Sequence, residues 1–295
     1  MSKQAFLFPG QASQFVGMGK ELIEAFPESK LVFEEANDIL GFNLSKIMFE
    51  GTEEKLKETN ITQPSVFLHS IISAKFKLQD IKPEAVAGHS LGEISALVSA
   101  KAINFKDGLL LVKERSNAMH EACIQNPGTM AAIVGLEDSK IEEICCEIND
   151  DVCVAANYNC PGQLVISGSL TGIKKAETLL LAAGAKRVII LNVGGAFHSP
   201  LMSPAKERLA TMIQSISFKS PECPIYQNVN SFAQTDSEII KSNLIQQLTS
   251  PVLWTQTIQA MLKDGITEFI EVGGNGTVLS GFMKRIDRNA NIRTA

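Results

Sequence analysis

The stretch Ala87-Gly88-His89-Ser90-Leu91-Gly92-Glu93 decides the fold of this chain. It contains the pattern Gly-x-Ser-x-Gly, between a short apolar run at 84–87 and a segment at 93–100 with apolar residues at helical spacing. A strand, a sharp turn and a helix in this order are the context of a nucleophile elbow, which holds a serine in a strained turn. Ser90 is therefore expected at a helix N-terminus, where free N–H groups favour developing negative charge.

The alternative is a glycine/serine turn without chemical meaning, because the bare pattern is common. The flanking strand and helix favour the nucleophile. In an elbow, Gly88 lets the strand and the helix approach closely, and Gly92 clears space behind the serine.

Composition indicates an ordinary globular protein with a sizeable core. The chain has 295 residues, of which 45% are hydrophobic and 20% charged, and its net charge is −5. We therefore expect no general attraction to nucleic acid or to an anionic membrane. The sequence shows neither a secretory signal nor an apolar stretch of membrane-spanning length.

The six cysteines form no Cys-x-x-Cys pair, so we expect no metal site. Reduced, partly buried thiols in a cytoplasmic protein are the better interpretation. The cysteines stand at positions 123, 145, 146, 153, 160 and 223.

Alternating strands and helices in the outer parts of the chain predict a mainly parallel sheet with helices on both faces. Asp107 is the expected N-cap of its helix. The expected strands are 5–8, 84–87, 225–226 and 268–272, and the expected helices include 28–40, 64–78, 93–100, 107–123, 204–213 and segments starting at Ser237 and Trp254.

The middle of the chain changes pattern. Its elements follow the order β-α-β-β-α-β of the ferredoxin-like split unit, with strands at 129–134, 152–156, 163–167 and 186–191 and helices at 138–148 and 171–183. We place a small inserted subdomain at 127–193 and a discontinuous large domain at 1–126 and 194–295. The fold class predicted is α/β: a hydrolase-like, mainly parallel sheet flanked by helices, with an inserted ferredoxin-like α+β subdomain.

A serine nucleophile needs a base, and histidine is the usual one. His69 lies in an apolar helix, His89 adjoins the serine and should point away from it, and His120 comes late on a helix. His198 lies in the loop 192–200, which leaves the small subdomain. Loops held by a scaffold are where catalytic groups concentrate, so elimination favours His198.

The third member of a triad is not evident, because no acidic residue between Ser90 and His198 stands on a loop after a strand. A backbone carbonyl or an amide side chain are alternatives, since the imidazole needs only an acceptor for its other nitrogen. For an oxyanion hole, the N–H of Leu91 and one N–H from the loop Gly10-Gln11-Ala12 fit the pattern.

Arg115 lies on the expected helix 107–123 and has two interpretations. A solvated surface arginine is the ordinary one. If it faces the pocket, its guanidinium fork would grip a carboxylate at two points, which indicates an acidic acyl group.

These residues together resemble the malonyl-CoA:acyl carrier protein transacylases of type II fatty acid synthesis and the related acyltransferase domains of large synthases. The resemblance runs from Ala5 to about Arg288. The matching segments, in order, are Phe8-Pro9-Gly10-Gln11-Ala12-Ser13-Gln14, Gly88-His89-Ser90-Leu91-Gly92-Glu93, Arg115, Ala196-Phe197-His198-Ser199-Pro200 and Gln247-Leu248-Thr249-Ser250-Pro251-Val252-x-Trp254.

The resemblance implies a dyad of Ser90 and His198, with the main-chain carbonyl of Gln247 orienting the imidazole. It implies that the N–H groups of Gln11 and Leu91 form the oxyanion hole.

The resemblance further implies that Arg115 binds the malonyl carboxylate. Gln63 and Met119 match pocket positions, and Phe197 matches a residue that favours malonyl over branched groups. From the residues alone, Met119 and Phe197 are equally well explained as core.

The chain departs from the family pattern at two places. Ala12 replaces a glycine, and a methyl group there is compatible with the loop if φ is negative. The run 273–277, Gly-Gly-Asn-Gly-Thr, replaces Gly-Pro-Gly-Lys and loses one lysine near the expected thioester entrance.

The implied reaction transfers malonyl from malonyl-CoA to the phosphopantetheine thiol of acyl carrier protein through malonyl-Ser90, with no cofactor, metal, nucleic acid or membrane. We expect a monomer. The alternatives are a serine esterase or thioesterase, which shares the nucleophile and base, and a non-catalytic binder of carrier protein. Lys186-Arg187 and the basic residues at 284, 285 and 288 are candidates for contact with an acidic carrier, or are plain solvated surface.

Overall fold

The chain forms two β-sheets, which a computed structural model describes over residues 3–295. Six strands form the larger sheet and four form the smaller one. In chain order the strands are β1 (Gln4–Phe8), β2 (Ala85–Gly88), β3 (Gly128–Val134), β4 (Cys153–Cys160), β5 (Gln163–Ser169), β6 (Arg187–Ile190), β7 (Ile225–Tyr226), β8 (Ala233–Gln234), β9 (Glu268–Glu271) and β10 (Asn291–Thr294).

The larger sheet has the order β10-β9-β1-β2-β7-β8. Its first five strands run parallel, and β8 pairs antiparallel with β7 at one edge. The carboxyl ends of β1, β2, β7 and β9 therefore meet at one edge of the sheet, which is where loops after parallel strands build sites.

Both faces of this sheet are buried. Along β1, Phe6 and Phe8 point into one apolar cluster, whereas Ala5 and Leu7 point into the other. Successive side chains of a strand lie on opposite faces, so a strand covered on both sides is a continuous apolar run. This explains why the sequence of β1 shows no alternation of polar and apolar residues.

Thirteen helices surround the two sheets in residues 3–295. Those numbered α2, α5, α6, α7, α10 and α11 pack on the Phe6 side of the large sheet, and α12 and α13 on the other. They are α1 (Lys20–Ala25), α2 (Lys30–Leu40), α3 (Leu44–Glu50), α4 (Glu53–Lys57), α5 (Thr59–Lys77), α6 (Gly92–Ser99), α7 (Phe105–Gln125), α8 (Asp138–Glu147), α9 (Leu170–Ala182), α10 (Ser203–Ser215), α11 (Ser237–Gln246), α12 (Trp254–Lys263) and α13 (Val278–Ile286).

The smaller sheet is antiparallel throughout, in the order β4-β5-β3-β6. Ile133, Leu164 and Ile166 on one face pack against α8 and α9. Met130 and Val165 on the other face join the main core. The predicted fold class is confirmed, an α/β protein with a mostly parallel six-stranded sheet and a separate four-stranded antiparallel sheet. The residue limits of the two domains stay a prediction.

Two helix starts differ from expectation. Asn104, not Asp107, is the N-cap of α7, and its Oδ1 accepts the N–H of Asp107 at 2.8 Å. Helix α5 starts at Thr59 rather than Pro64, and Pro64 lies inside it. Residues 61–63 before the proline are buried, so packing outweighs the usual cost of an interior proline.

The sequence analysis does not predict the two edge strands of the larger sheet, β8 and β10. Strands β8 (Ala-Gln) and β10 (Asn-Ile-Arg-Thr) are short and largely exposed, so neither has the apolar run by which the other short strands were predicted. Their place is set by pairing with β7 and β9.

Among residues 3–295, no helix combines the length and the apolar character needed to cross a membrane. All six cysteines are free thiols.

The cap of α7 gives a test of this assignment. We expect Asn104→Ala to lower the free energy of unfolding by about 1 kcal/mol, because the N–H of Asp107 loses its acceptor. Asp107→Ala leaves that N–H bonded and loses the helix-dipole contribution and the exposed bond from Nδ2 of Asn104 to Oδ2 of Asp107, which Asn104→Ala loses as well, so it should cost less, about 0.5 kcal/mol. Urea unfolding of both variants measures the difference, and a larger loss for Asp107→Ala would contradict the assignment.

Candidate active site

The elbow at Ser90 is formed by two glycines that let main chains touch. Strand β2 ends at Gly88 and α6 begins at Gly92. A Cβ on Gly88 would lie 1.9 Å from the carbonyl carbon of Gly92, and a Cβ on Gly92 would lie 2.0 Å from the carbonyl oxygen of Phe8. Between them Ser90 has φ +53°, a left-handed conformation that an L-residue adopts only when its surroundings impose it.

Ser90 and His198 form a hydrogen-bonded pair. The Ser90 hydroxyl lies 2.8 Å from Nε2 of His198, which is on the loop after β6 and 4% exposed. Strand β6 of the four-stranded sheet precedes that loop, and β2 of the six-stranded sheet leads into Ser90, so elements of both sheets bring the pair into contact. Nucleophile and base lie within the reach that proton transfer needs.

The other imidazole nitrogen faces main-chain carbonyls rather than an acid. Nδ1 of His198 lies 2.9 Å from the carbonyl oxygen of Gln247 and 3.2 Å from that of Ser250. Because carbonyls only accept, Nδ1 carries the proton and Nε2 is left free to accept the serine proton. Of the alternatives that the sequence leaves open, the structure has the backbone carbonyl.

The environment keeps His198 neutral. Burial and, secondly, the positive charge of Arg115 lower the pKa of His198 to about 3, against the opposing effect of the Gln247 carbonyl. The imidazole is therefore in its base form at neutral pH.

Arg115 lies inside the protein and not on its surface. Its side chain is 1% exposed, and burial lowers its pKa to about 10, which leaves it charged at neutral pH. Nη2 donates to the Ser90 hydroxyl at 2.9 Å and to Oε1 of Gln247 at 3.2 Å, and Nη1 donates to Oε1 of Gln63 at 2.7 Å. The guanidinium fork thus opens beside the serine.

No carboxylate of residues 3–295 lies within ion-pair distance of this guanidinium. Its Nε has no hydrogen-bond partner in the described part of the chain. A buried charge is costly unless it is paired, so the arrangement favours an anionic ligand at this place.

Three more of the predicted site residues form one network with Arg115. Gln63 is fully buried, and its Nε2 lies 3.2 Å from Oε1 of Gln11 and 3.3 Å from Sδ of Met119. The structure thereby brings Gln11, Gln63 and Met119 together around the guanidinium. Phe197 is 6% exposed and belongs to the main apolar cluster next to His198.

The backbone N–H groups of Gln11 and Leu91 are both free. Within residues 3–295 neither donates a hydrogen bond to the protein. The loop after β1 is tied to the elbow, because the N–H of His89 donates to the carbonyl of Phe8 at 2.9 Å. Two unpaired donors at neighbouring strand ends are the elements of an oxyanion hole.

Among residues 3–295, the imidazoles of the other three histidines make no hydrogen bond to the Ser90 hydroxyl. His89 bonds Asn159 through Nε2 at 2.9 Å and packs on Trp254. His69 is buried, with Nε2 2.8 Å from Glu21 Oε1 and Nδ1 accepting the N–H of Gly274 at 3.0 Å. A proline at 274 could not make that bond. His120 is exposed.

The φ angle of Ala12 is +76°. The sequence analysis finds a methyl group compatible with this loop at a negative φ, at which an alanine causes no strain, and that condition is not met. The N–H of Ala12 donates to Oε1 of Gln14 at 2.9 Å, which helps to hold the turn. Ala12 is therefore held in a left-handed conformation that strains its backbone.

Sequence reasoning missed two residues that hold the elbow. Asn228 bonds the main chain on both sides of His89, at Gly88 and at Ser90, and Glu93 accepts the N–H of Asn228 at 2.8 Å. A signal was present, because Asn228 follows the short strand β7, which pairs in parallel with β2. The carboxyl end of a neighbouring parallel strand is where such a residue is expected.

Comparison with known proteins shows the family of the chain. A family model described as the acyl transferase domain matches residues 5–295. The malonyl CoA-acyl carrier protein transacylase of Bacillus subtilis is 44% identical over 291 residues, which cover 98% of this chain and 92% of that protein.

Solved structures are similar over the whole chain. The malonyl CoA-acyl carrier protein transacylase of Coxiella burnetii has a TM-score of 0.95 at 37% identity, covering 99% of this chain and 93% of that one. A malonyl-transacylase in complex with a type II polyketide synthase acyl-carrier protein has a TM-score of 0.96 at 37% identity, covering 100% and 96%.

The charge of Arg115 can be tested on His198 directly. We expect the imidazole Cε1–H signal of His198 to show the neutral form from pH 8 down to pH 5, and to titrate at a higher pH in Arg115→Gln. Removing a neighbouring positive charge makes protonation easier, so the pKa rises. Arg208→Gln, at an exposed arginine paired with Glu114 and Glu121, should change nothing. A wild-type His198 that titrates near the ordinary histidine pKa would contradict the expectation.

The strain at Ala12 gives a second test. We expect Ala12→Gly to raise the free energy of unfolding by about 0.5–1 kcal/mol, because relief of left-handed strain outweighs the added freedom of the unfolded chain. The control Ala210→Gly, inside helix α10, should lower it by about 0.5–1 kcal/mol. Chemical denaturation measures both, and two losses of equal size would show that residue 12 is not strained.

Proposed function

The chain belongs to the acyl transferase domain family, and from that premise we propose that Ser90, His198 and Arg115 carry its chemistry. The reaction is the transfer of malonyl from malonyl-CoA to acyl carrier protein, which supplies fatty acid synthesis. The observation that supports these residues best is the buried guanidinium of Arg115, which has no carboxylate partner in the described chain and lies 2.9 Å from the serine oxygen.

The first half of the reaction forms an ester on Ser90. His198 Nε2 takes the hydroxyl proton while Oγ attacks the thioester carbonyl of malonyl-CoA. The N–H groups of Gln11 and Leu91 bind the oxyanion of the tetrahedral intermediate. As it collapses, the carbon–sulfur bond breaks, the CoA thiolate takes the proton from His198, and malonyl-Ser90 remains.

The second half of the reaction transfers the malonyl group from Ser90 to acyl carrier protein by the same kinds of step. The phosphopantetheine thiol of acyl carrier protein gives its proton to His198 and attacks the ester carbonyl. The same two N–H groups bind the new oxyanion. The bond between the acyl carbon and Oγ breaks, Ser90 recovers the proton, and the malonyl thioester leaves on the carrier.

Arg115 selects the acyl group in two ways. Its fork binds the malonyl carboxylate, which an acetyl group lacks. The bound carboxylate also offsets the positive charge that lowers the pKa of His198, so that the imidazolium forms more easily in the transition state. Gln63 and Gln247 hold the guanidinium in place, Met119 contacts Gln63, and Phe197 bounds the acyl pocket beside His198.

We also propose that the chain acts as a monomer in the cytoplasm. One chain supplies the nucleophile, the base, the oxyanion-hole donors and the arginine, so no partner copy is needed to complete the site. Six free thiols agree with a reducing compartment.

Intact-protein mass after brief mixing with malonyl-CoA tests the roles of Ser90 and Arg115. We expect one malonyl adduct on the wild type, none on Ser90→Ala, and formation about 10- to 100-fold slower on Arg115→Ala, since hydrogen bonds to a charged group are lost. The adduct should discharge to holo acyl carrier protein faster than to water.

Matched controls are Ser95→Ala, at a buried serine of α6 with no hydrogen-bond partner among residues 3–295, and Arg208→Ala, at an exposed arginine. Both should form the adduct at the wild-type rate. Rapid release of free malonate without transfer would instead indicate a hydrolase. A protein that forms no adduct and turns nothing over would be a carrier-protein binder.

A further inference from the structure

Asn228 joins two strand ends at the nucleophile. It lies just beyond β7, is fully buried, and faces the end of β2. Its Oδ1 accepts the N–H of Ser90 at 2.7 Å, and its Nδ2 donates to the carbonyl of Gly88 at 2.7 Å. One amide side chain thus satisfies a donor and an acceptor of the main chain on both sides of His89.

Glu93 holds Asn228 in turn. The carboxylate is 1% exposed and lies on the first turn of α6, where Oε2 accepts the N–H of Asn228 at 2.8 Å. Oε1 accepts from Nε2 of Gln227 at 3.2 Å. Burial raises the pKa of the Glu93 carboxyl, and the N–H of Asn228 opposes that rise. The strand end after β7 is therefore bonded to the helix that follows Ser90.

The elbow needs such support because its serine is strained. A left-handed φ costs a non-glycine residue about 1–2 kcal/mol, so this conformation persists only where other contacts impose it. The Ser90 N–H belongs to the peptide before the nucleophile, and the next peptide carries the free N–H of Leu91. A rotation at Ser90 would move Oγ away from His198 and tilt that N–H away from the oxyanion.

We propose that Asn228 is a positioning residue for acyl transfer, whose side-chain amide holds Ser90 in its reactive conformation. The proposal rests on the proposed function of Ser90. Asn228 makes no contact with the substrate, so its loss slows the chemical step and leaves binding of malonyl-CoA unchanged. A displacement of about 1 Å can cost roughly 100-fold in rate.

The test compares single-turnover acylation of Asn228→Ala and wild type at saturating malonyl-CoA. We expect the rate constant to fall about 10- to 100-fold, with the same half-saturating concentration. The matched control is Asn230→Ala. Among residues 3–295 its side chain bonds only the N–H of Phe232, in the same loop, so it reports loop stability without the contacts to Ser90 and Gly88. Its rate constant should equal that of the wild type.

Asn228→Asp separates positioning from folding. An ionised aspartate can accept the N–H of Ser90 but cannot donate to Gly88, whereas a protonated one does both. Relative to wild type, its acylation rate should therefore rise as the pH falls. Asn228→Ala should show no such rise. The other ionisable groups around the elbow, which are His89, Glu93, Arg115 and His198, are present in all three proteins, and Asn228→Ala reports their contribution without a carboxyl at position 228.

An unchanged rate constant in Asn228→Ala, or an equal loss in Asn230→Ala, would overturn the proposal. If Asn228→Ala does not fold, the pH dependence of Asn228→Asp decides, and a flat ratio counts against positioning. A wild-type protein that forms no malonyl adduct would refute the proposed function instead, so the two failures are distinct.

Discussion

The contact between Gly92 and the carbonyl oxygen of Phe8 is the constraint on which the site depends. No side chain fits between the two main chains, so α6 starts directly beneath the end of β1. This forces the turn from β2 into α6 to be sharp, and Ser90 takes a left-handed φ as the result. The same contact brings the loop of Gln11 beside the N–H of Leu91. Nucleophile and oxyanion-hole donors are thus consequences of one close approach.

A buried positive charge organises the other half of the site. Arg115 has amide and hydroxyl partners in place of a carboxylate, and these neutral groups hold its fork without cancelling its charge. The charge keeps His198 neutral in the free protein. A substrate that carries its own carboxylate removes this effect when it binds. Recognition of the acid and activation of the base are therefore coupled electrostatically, which a pocket of purely apolar shape could not do.

The sequence predicts three features: the alternation of strands and helices, the split β-α-β-β-α-β unit and the elbow. Each of them depends on local periodicity or on glycine at fixed positions, which the sequence shows directly. The sequence pattern predicts Asp107 as the N-cap of α7, whereas the helix begins at Phe105 and Asn104 caps it. The sequence pattern starts α5 at Pro64, because proline prefers the first turn of a helix. The helix begins earlier, at Thr59, because the turn before the proline is buried. Strand β7 was predicted at 225–226, but Asn228 was not singled out, because its bonds to Gly88 and Ser90 depend on the pairing of β7 with β2, which the sequence does not show.

The sequence by itself determined the fold class and the chemical types at the site: a serine in a glycine turn, one histidine on a loop, and one arginine on an apolar helix. The tertiary structure alone decided which acceptor orients His198, that Arg115 is buried with no carboxylate of residues 3–295 at ion-pair distance, and that Asn228 bonds the main chain at Gly88 and Ser90. The physical reason is distance along the chain. These contacts join residues from 25 to 140 positions apart, and a hydrogen bond between such residues leaves no local pattern of spacing that could predict it.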